Sequence, residues 1–231
     1  MYPILFHLGN IHVNSYIFFN SLALLVGTIV YFRLTAAREN SPEKVMLLFT
    51  GALAGGFLGA TLVDLGSRTI LGGLVGGYIG VKTAKKIGGI KEKTGDPFAL
   101  SAVLAMGIGR IGCLLGGCCY GKPTDKWFGI FMAGQSRYPT QVIEMAFDFA
   151  LFIVLWNLRD KIKNPGDLFK LFLFSYSTFR FFIEFIRTEP VIWLGLTVYQ
   201  LIAIPIILIT GIYFKRNCLG ARNGDLYGSD R

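Results

Sequence analysis

Apolar segments long enough to cross a lipid bilayer recur along the whole of this 231-residue chain, and they limit its possible folds more than any other feature. A transmembrane helix needs about 20 predominantly apolar residues. Only 16% of the residues are charged, whereas a soluble domain carries about 25%. The pattern therefore predicts an all-α, polytopic membrane protein, with one integral membrane domain over residues 1–231.

Seven transmembrane helices are predicted from the apolar runs and their interruptions. In chain order they cover Tyr16–Leu34, Val45–Leu65, Thr69–Val81, Phe98–Leu115, Pro139–Leu158, Leu168–Ile186 and Leu196–Phe214. The third span is short and rich in glycine, which suits close helix packing in a membrane. On the alternative interpretation, Gly72 and Gly73 line a ligand cavity, where irregular backbone is tolerated at membrane depth.

The basic residues predict the orientation of these helices. Most of the 23 lysines and arginines fall in segments that the predicted topology puts on one side. Because basic loops stay in the cytoplasm, we expect the N-terminus outside and the C-terminus in the cytoplasm. This orientation predicts an outer-side loop at about residues 116–138 and a cytoplasmic tail at about residues 215–231. The same loops explain the net charge of +9, so the charge does not indicate nucleic-acid binding.

Ionisable side chains inside the predicted spans are the first candidates for a functional site, because a charge in a membrane needs a partner or a purpose. They include Arg110 in the fourth span, Glu144 and Asp148 in the fifth, and Arg180, Glu184 and Arg187 in the sixth. One interpretation is a set of internal salt bridges that keeps the helices in register. The other is an anion site, because a planar guanidinium suits phosphate.

A glycine- and cysteine-rich segment follows Arg110 at the outer end of the fourth span. Its glycines would let backbone amides approach a ligand closely. With Arg110, the segment indicates a pocket for an anionic group at the membrane, such as a lipid phosphate. The spacing of Cys113, Cys118 and Cys119 is not typical of a zinc motif. We therefore expect free thiols, no metal site and no cofactor, with the thiols acting either in packing or in chemistry.

Several motifs, in their order along most of the chain, resemble the prolipoprotein diacylglyceryl transferase family. They are Gly109-Arg110-Ile111, Gly121-Lys122-Pro123-Thr124-Asp125, Tyr138-Pro139-Thr140-Gln141-Val142-Ile143-Glu144, Arg180-Phe181-Phe182-Ile183-Glu184-Phe185-Ile186-Arg187 and Gln200, with Gly72-Gly73-Leu74 and Tyr16 as weaker counterparts. Members of this family are polytopic enzymes of the bacterial cytoplasmic (inner) membrane. They transfer a diacylglyceryl group from phosphatidylglycerol to the thiol of a lipobox cysteine in a prolipoprotein, and glycerol phosphate leaves.

The resemblance implies roles for individual residues. Arg110 and Arg180 would hold the phosphoglycerol head group, with Glu184 and Arg187 in support. The candidate catalytic residues are Arg110, Arg180, Glu184 and Glu144. The candidate substrate-binding residues are Tyr16, Gly72, Gly73, Gly121, Gln141, Arg187 and Gln200, and further candidates are Cys113, Cys118, Cys119 and Tyr138. The expected partners are phosphatidylglycerol or a related anionic phospholipid, and the signal-peptide region of a prolipoprotein.

The chain departs from the family's pattern at several polar positions. Leu71 and Tyr138 each stand where relatives carry a histidine, Cys113 replaces an asparagine, and Cys118 replaces an acidic residue. The group that takes the proton of the incoming thiol is therefore open among Glu144, Glu184 and a cysteine. Two alternatives remain: a lipid transferase with a different acceptor and a covalent cysteine intermediate, or a non-enzymatic phospholipid-binding membrane protein.

Overall fold

The computed structural model describes residues 2–8, 11–36, 42–62, 70–91 and 93–224, and within these ranges the chain is mainly helical. The helices are α1 (Ser15–Ala36), α2 (Pro42–Leu62), α3 (Ile70–Ile87), α4 (Gly95–Gly116), α5 (Thr140–Leu158), α6 (Asp167–Ile183) and α7 (Val198–Gly224). A 3₁₀ turn, Glu184–Ile186, follows α6 directly. Each predicted span overlaps one of these helices, which confirms the predominantly helical fold. The sixth predicted span, Leu168–Ile186, is too long at its end, because the α-helix gives way to the 3₁₀ turn at Glu184.

Four of the helices, α1, α4, α5 and α7, are long and apolar enough to cross a membrane, as judged on the described residues. Helix α6 is shorter, with 17 residues, and it carries charged side chains. Helix α3 extends past its predicted end at Val81 to Ile87 and finishes on lysines. Lysine near a helix C-terminus is favoured by the helix dipole. The count of seven membrane spans stays a prediction.

Short antiparallel hairpins join some of the helices, and the sequence did not predict them. Strand β1 (Ile4–Leu8) pairs with β2 (Ile11–Asn14), β3 (Ile130–Met132) with β4 (Gln135–Arg137), and β5 (Val191–Trp193) with β6 (Leu196–Thr197). Ala133 and Gly134 between β3 and β4 have φ of 48° and 81°. Leu194 and Gly195 between β5 and β6 have φ of 50° and 77°. Two-residue turns with positive φ at both positions match the twist of a hairpin.

The chain forms two compact units. The first comprises Met1–Thr28 and Phe98–Arg231, and it contains the hairpins, most of α4, and α5, α6 and α7. The second comprises Ile29–Pro97 and contains α2 and α3. Its small core includes Leu48, Ala84 and Ile90. The single membrane domain predicted from the sequence stays a prediction.

Glycines allow α2 and α3 to pack with their backbones in contact. A Cβ atom on Gly51 would lie 2.7 Å from the carbonyl oxygen of Gly80. A Cβ atom on Gly55 or Gly76 would meet backbone of the opposite helix even more closely. Small residues permit this approach between helices. Close packing by the glycine-rich third span is therefore confirmed at Gly76 and Gly80.

Replacing Gly55 by alanine is expected to destabilise the second unit. The added Cβ would lie 2.9 Å from the Cα of Gly80 and would clash with the backbone of Gly76. Overpacking of this kind costs about 1–3 kcal/mol. Gly77→Ala is the matched control, because its Cβ would make an ordinary 3.4 Å contact with the carbonyl oxygen of Ala52. Thermal unfolding in detergent should show a lower midpoint for Gly55→Ala alone, and equal midpoints would contradict this packing.

In the first unit, α1 begins beside the C-terminal end of α4. The Oδ1 atom of Asn14 accepts hydrogen bonds from the backbone N–H of Tyr16 at 2.8 Å and of Ile17 at 3.3 Å. Asparagine is a favoured residue at this capping position. A Cβ atom on Gly116 would lie 3.2 Å from the Cβ of Tyr16. The cap and the glycine together place Tyr16 next to the end of α4.

Candidate functional site

The buried face of α5 carries the centre of the site. Its buried residues are Thr140, Gln141, Glu144, Asp148, Leu151 and Leu155. Their spacing places them along one side of a helix. The ring of Phe147 stacks on Phe179 of α6 with centroids 3.8 Å apart. The two rings thus join α5 to α6. The buried side of α5 is polar in its first half and apolar in its second.

Three arginine side chains converge on the carboxylate of Glu144. Arg110 of α4 forms an ion pair with Oε2 of Glu144. The Nη1 atoms of Arg180 and Arg187 lie 3.3 Å and 2.7 Å from Oε1 of Glu144. Glu144 is 3% exposed. The structure thus joins charges that the sequence placed on three separate spans.

Glu184 forms a second acidic centre within the same cluster. Its Oε2 atom lies 3.1 Å from Nη2 of Arg180 and 3.7 Å from Nε of Arg187. The hydroxyl of Thr197 donates a 3.0 Å hydrogen bond to Oε1 of Glu184. Arg180 and Arg187 therefore each bridge Glu144 and Glu184. The internal salt bridges that the sequence allowed as one interpretation are present.

The three arginines differ in how many of their guanidinium nitrogens pair with carboxylates of the protein. Nη1 and Nη2 of Arg187 contact Glu144 at 2.7 Å and Glu189 at 3.0 Å, while its Nε lies 3.7 Å from Glu184 and makes no hydrogen bond with the described residues. Arg180 uses two nitrogens, and its guanidinium lies 4.6 Å from the ring centroid of Tyr199. Arg110 uses only Nη2 among the described residues, and its side chain is the most accessible of the three at 19%. Arg110 therefore keeps donors for a further anion, since a guanidinium carries five N–H groups.

A third acid lies near this cluster; the sequence placed it among the ionisable residues of the fifth span but gave it no catalytic or binding role. Asp148 stands one helical turn after Glu144 and is 2% exposed. Its Oδ1 atom accepts no hydrogen bond from the described residues. The spacing of four residues on a predicted helix was the available signal for it.

Gly121 lies at a backbone crossing. Its N–H donates to the carbonyl oxygen of Tyr138 at 3.0 Å, and the next N–H, of Lys122, donates to Ile186 at 2.8 Å. A Cβ atom on Gly121 would lie 2.7 Å from the carbonyl oxygen of Ile186. This close approach leaves no room for a side chain. Gly121, predicted to bind substrate, therefore holds the loop beside Arg187.

The first residues of α5 hold the cysteine segment. The hydroxyl of Thr140 donates to the carbonyl oxygen of Cys119 at 2.7 Å. The Nε2 atom of Gln141 donates to the carbonyl oxygen of Cys118 at 2.6 Å. Both side chains are fully buried. The amide nitrogen of Gln141, another candidate substrate-binding residue, is thus engaged within the protein, while its Oε1 accepts no hydrogen bond from the described residues.

The cysteine side chains form a compact group. The sulfur atoms of Cys113, Cys118 and Cys119 all lie within 4.8 Å of one another. All three are free thiols, as the sequence predicts. A hydrogen bond from Cys113, together with the positive charges of Arg110 and Arg187, lowers the pKa of Cys119 to about 5, and burial raises the pKa of Cys118.

Gln200 and Thr197 cap α7 reciprocally. The Oε1 atom of Gln200 accepts from the N–H of Thr197 at 3.0 Å, and the Oγ1 atom of Thr197 accepts from the N–H of Gln200 at 3.4 Å. The Nε2 atom of Gln200 also donates to the carbonyl oxygen of Phe181 at 3.2 Å. This is a capping box. Gln200, predicted to bind substrate, therefore joins α7 to α6, and the sequence pattern of the box was the missed signal for Thr197.

Replacing Thr197 by valine is expected to destabilise the first unit by about 1–3 kcal/mol, because it removes the cap and a hydrogen bond to buried Glu184. Thr197→Ser is the control, since it keeps the hydroxyl. Denaturant or thermal unfolding in detergent measures both variants. An equal loss in Thr197→Ser and Thr197→Val would show that the hydroxyl does not matter.

The remaining candidate residues are Tyr16, Tyr138, Gly72 and Gly73. The structure describes the surroundings of the two tyrosines but not those of the two glycines. Tyr16 is 45% exposed and interacts electrostatically with Arg110 and with the three cysteines. The ring of Tyr138 lies 5.9 Å from that of Phe128. Gly72 and Gly73 belong to α3 in the second unit. Their surroundings lie outside the described part of the chain, so their substrate-binding role stays a prediction.

Comparison with known proteins indicates the same family as the sequence motifs. Residues 66–215 match the family model described as prolipoprotein diacylglyceryl transferase. Proteins named phosphatidylglycerol–prolipoprotein diacylglyceryl transferase are similar to this chain. The one from Clostridium tetani is 31% identical over 217 residues, which cover 82% of this chain and 87% of the relative.

Two further relatives give the same result. A protein from Clostridium perfringens, named phosphatidylglycerol–prolipoprotein diacylglyceryl transferase 2, is 31% identical in an alignment of 232 positions that covers 87% of this chain and 89% of the relative. A Staphylococcus aureus protein named phosphatidylglycerol–prolipoprotein diacylglyceryl transferase is 31% identical in an alignment of 242 positions that covers 90% of this chain and 86% of the relative. The family match and these identities together show that the chain belongs to the prolipoprotein diacylglyceryl transferase family of membrane proteins.

Proposed function

We propose that this protein transfers the diacylglyceryl group of phosphatidylglycerol, or of a related anionic phospholipid, to the thiol of a lipobox cysteine in a prolipoprotein. The names of its relatives describe a transferase with these two substrates. The observation that carries the proposal is the convergence of three arginines on Glu144, with Arg110 only partly occupied. Such a transferase acts in lipoprotein biosynthesis.

The chemistry of the transfer explains why guanidinium groups are needed. A new bond forms between the acceptor sulfur and the glyceryl carbon, and the bond from that carbon to the phosphate oxygen breaks. Glycerol phosphate leaves with the bonding electron pair, so negative charge develops on its oxygen. Arg110 and Arg180 supply donors to that charge in a site with little water, where preorganised donors are most effective. The planar fork of arginine also matches two phosphate oxygens at once.

Glu144 and Glu184 act as positioning residues in this proposal. Both oxygens of Glu144 are paired with guanidinium groups. Oε1 of Glu184 accepts a hydrogen bond from Thr197, and its Oε2 lies within ion-pair distance of Arg180 and Arg187 without a hydrogen bond from the described residues. A carboxylate held in this way directs the remaining arginine donors toward the lipid phosphate. Removing the acceptor thiol's proton requires a group outside these ion pairs, because the thiolate is the nucleophile.

We place the protein in the bacterial cytoplasmic (inner) membrane as one domain with seven spans, an outer N-terminus and a cytoplasmic C-terminus. The seven helices and the distribution of basic residues support this topology. Trp127, Phe131 and Trp193 are 93%, 72% and 62% exposed, in segments that the topology puts on the outer side. Exposed aromatic rings are typical of the membrane–water interface. The outer side is where the signal-peptide region of an exported acceptor would be reached.

Mass spectrometry of a purified reaction tests the proposal. The protein in detergent is incubated with phosphatidylglycerol and a lipobox peptide, and a peptide with serine in place of the lipobox cysteine is the control. We expect the cysteine peptide to gain one diacylglyceryl group and glycerol phosphate to appear in equal amount. Lipid consumed without peptide modification would instead support another acceptor. Bound lipid without turnover would support a non-enzymatic lipid-binding protein.

A further inference from the structure

The cysteine group at the end of α4 has dimensions that suit a metal ion. The sulfur atoms of Cys113, Cys118 and Cys119 lie within 4.8 Å of one another. Three thiolates bound to one zinc ion at about 2.3 Å each lie about 3.8–4.0 Å apart. The three sulfur atoms therefore lie at most about 1 Å farther apart than in such a centre.

The backbone holds the three sulfurs together. The N–H of Cys118 donates to the carbonyl oxygen of Cys113 at 3.1 Å, which closes the turn after α4. Gly117 and Cys119 have φ of 71° and 60°. A cysteine rarely adopts this left-handed conformation, since its Cβ crowds the backbone there. The turn folds the chain back, so that the adjacent cysteines face the sulfur of Cys113.

Helix α5 fixes the same turn from the other side. Thr140 and Gln141 donate hydrogen bonds to the carbonyl oxygens of Cys119 and Cys118. Both donors are fully buried, so the two carbonyl positions are set by the core. The sulfur group is therefore preorganised, and a ligand does not have to order the segment when it binds.

The surroundings suit three thiolates with a divalent ion. Such a centre carries a net charge of −1, and Arg110 and Arg187 are near enough to interact electrostatically with Cys119. Cys113 is buried, whereas Cys118 and Cys119 are partly exposed. One side of the group is thus closed by protein and the other is open. An open side admits the ion and a fourth ligand.

We propose that Cys113, Cys118 and Cys119 form a binding site for a thiophilic divalent metal ion of the zinc type, with its fourth position taken by water or another ligand. Soft thiolate ligands select such ions. The spacing along the chain did not indicate this site, because the left-handed turn brings the adjacent cysteines back to Cys113. The site goes beyond the proposed transfer reaction and does not depend on it.

Titration of the metal-stripped full-length protein with Cd²⁺ tests the site. Cadmium bound to thiolates gives an ultraviolet charge-transfer absorption, and Zn²⁺ should compete for the same site. We expect one ion per chain and at least a tenfold loss of affinity in each of Cys113→Ser, Cys118→Ser and Cys119→Ser. Cys218→Ser is the matched control, because the fourth cysteine lies at the far end of α7, and its affinity should equal that of the wild type.

Thiol protection gives a second measurement that needs no variant. Bound Zn²⁺ should protect the three cysteines from iodoacetamide, while Cys218 reacts at the same rate with and without the ion. Peptide mass mapping identifies each modified thiol. The proposal is overturned by a titration without saturable absorption, by protection that includes only one of the three thiols, or by a disulfide among them in protein alkylated at harvest.

Discussion

Glu144→Ala is expected to destabilise the protein by about 3–5 kcal/mol, since breaking a buried ion pair leaves uncompensated charge. Three guanidinium groups, those of Arg110, Arg180 and Arg187, now share this one carboxylate. Without it they repel one another in a site with little water. The unfolding midpoint in detergent should fall sharply, and transfer activity should fall with it.

Two further variants separate the role of charge from that of shape. Glu144→Gln keeps the side-chain volume and one acceptor oxygen, so it should lie between the wild type and Glu144→Ala in stability. Its transfer activity should still fall about 10²–10³-fold, the usual cost of disturbing a preorganised charge site. Glu189→Ala is the matched control, because the ion pair of Glu189 within the described residues is with Arg187 alone and its side chain is 32% exposed. Such a pair contributes about 0–1 kcal/mol.

A result in which Glu144→Ala unfolds at the wild-type midpoint would contradict the central position of this carboxylate. Stability equal to that of Glu189→Ala would do the same. Activity at the wild-type level in Glu144→Gln would show that the negative charge is not needed to direct the arginines.

The helices could be predicted from the sequence because the length of each apolar run indicates a helix without reference to the rest of the chain. The charged residues could be predicted as a set for a related reason: spacings of three and four put Arg180, Glu184 and Arg187 on one face of the predicted sixth span. In the structure only Arg180 lies on α6, and Glu184 and Arg187 lie in and after the 3₁₀ turn that follows it. Which acid each arginine contacts depends on how α4, α5 and α6 pack. That packing puts Glu144 at the centre, and no spacing within a single helix indicates it.

The hairpin turns and the group of cysteine sulfur atoms depend on backbone conformations that cannot be predicted from the residue types. The turns at Ala133-Gly134 and Leu194-Gly195 begin with residues that rarely adopt positive φ. The usual signal for such a turn is Asn-Gly or Asp-Gly. Cys119 also has a positive φ, which is rare for a residue other than glycine. Tertiary hydrogen bonds, such as that from Thr140 to Cys119, stabilise conformations that local preference disfavours.

Gln200 is the opposite case. The family resemblance placed it in the site, whereas the local sequence pattern predicts the helix cap that it forms. Thr197 and Gln200 have the spacing of a reciprocal cap, and the structure contains both hydrogen bonds. Both ends of the Gln200 side chain are used within the protein. The predicted role of Gln200 in substrate binding stays a prediction.

Arg110→Lys is expected to lower transfer activity about 10²–10³-fold while changing stability by no more than about 1 kcal/mol. Lysine keeps the positive charge and the ion pair with Glu144, but it lacks the planar fork that holds two phosphate oxygens. Arg110 makes one ion pair within the described chain and is the most accessible arginine of the cluster. Its unused donors are therefore the ones we expect to meet the lipid.

Arg187→Lys is the comparison that makes this prediction specific. Two nitrogens of Arg187, Nη1 and Nη2, donate hydrogen bonds to Glu144 and Glu189, and a single ammonium group cannot keep the geometry of both contacts. Arg187→Lys should thus lose more stability than Arg110→Lys. Activity with phosphatidylglycerol and unfolding midpoints of both variants give the test. If Arg110→Lys lost stability and kept its activity, Arg110 would be a structural residue, and the lipid phosphate would have to bind elsewhere.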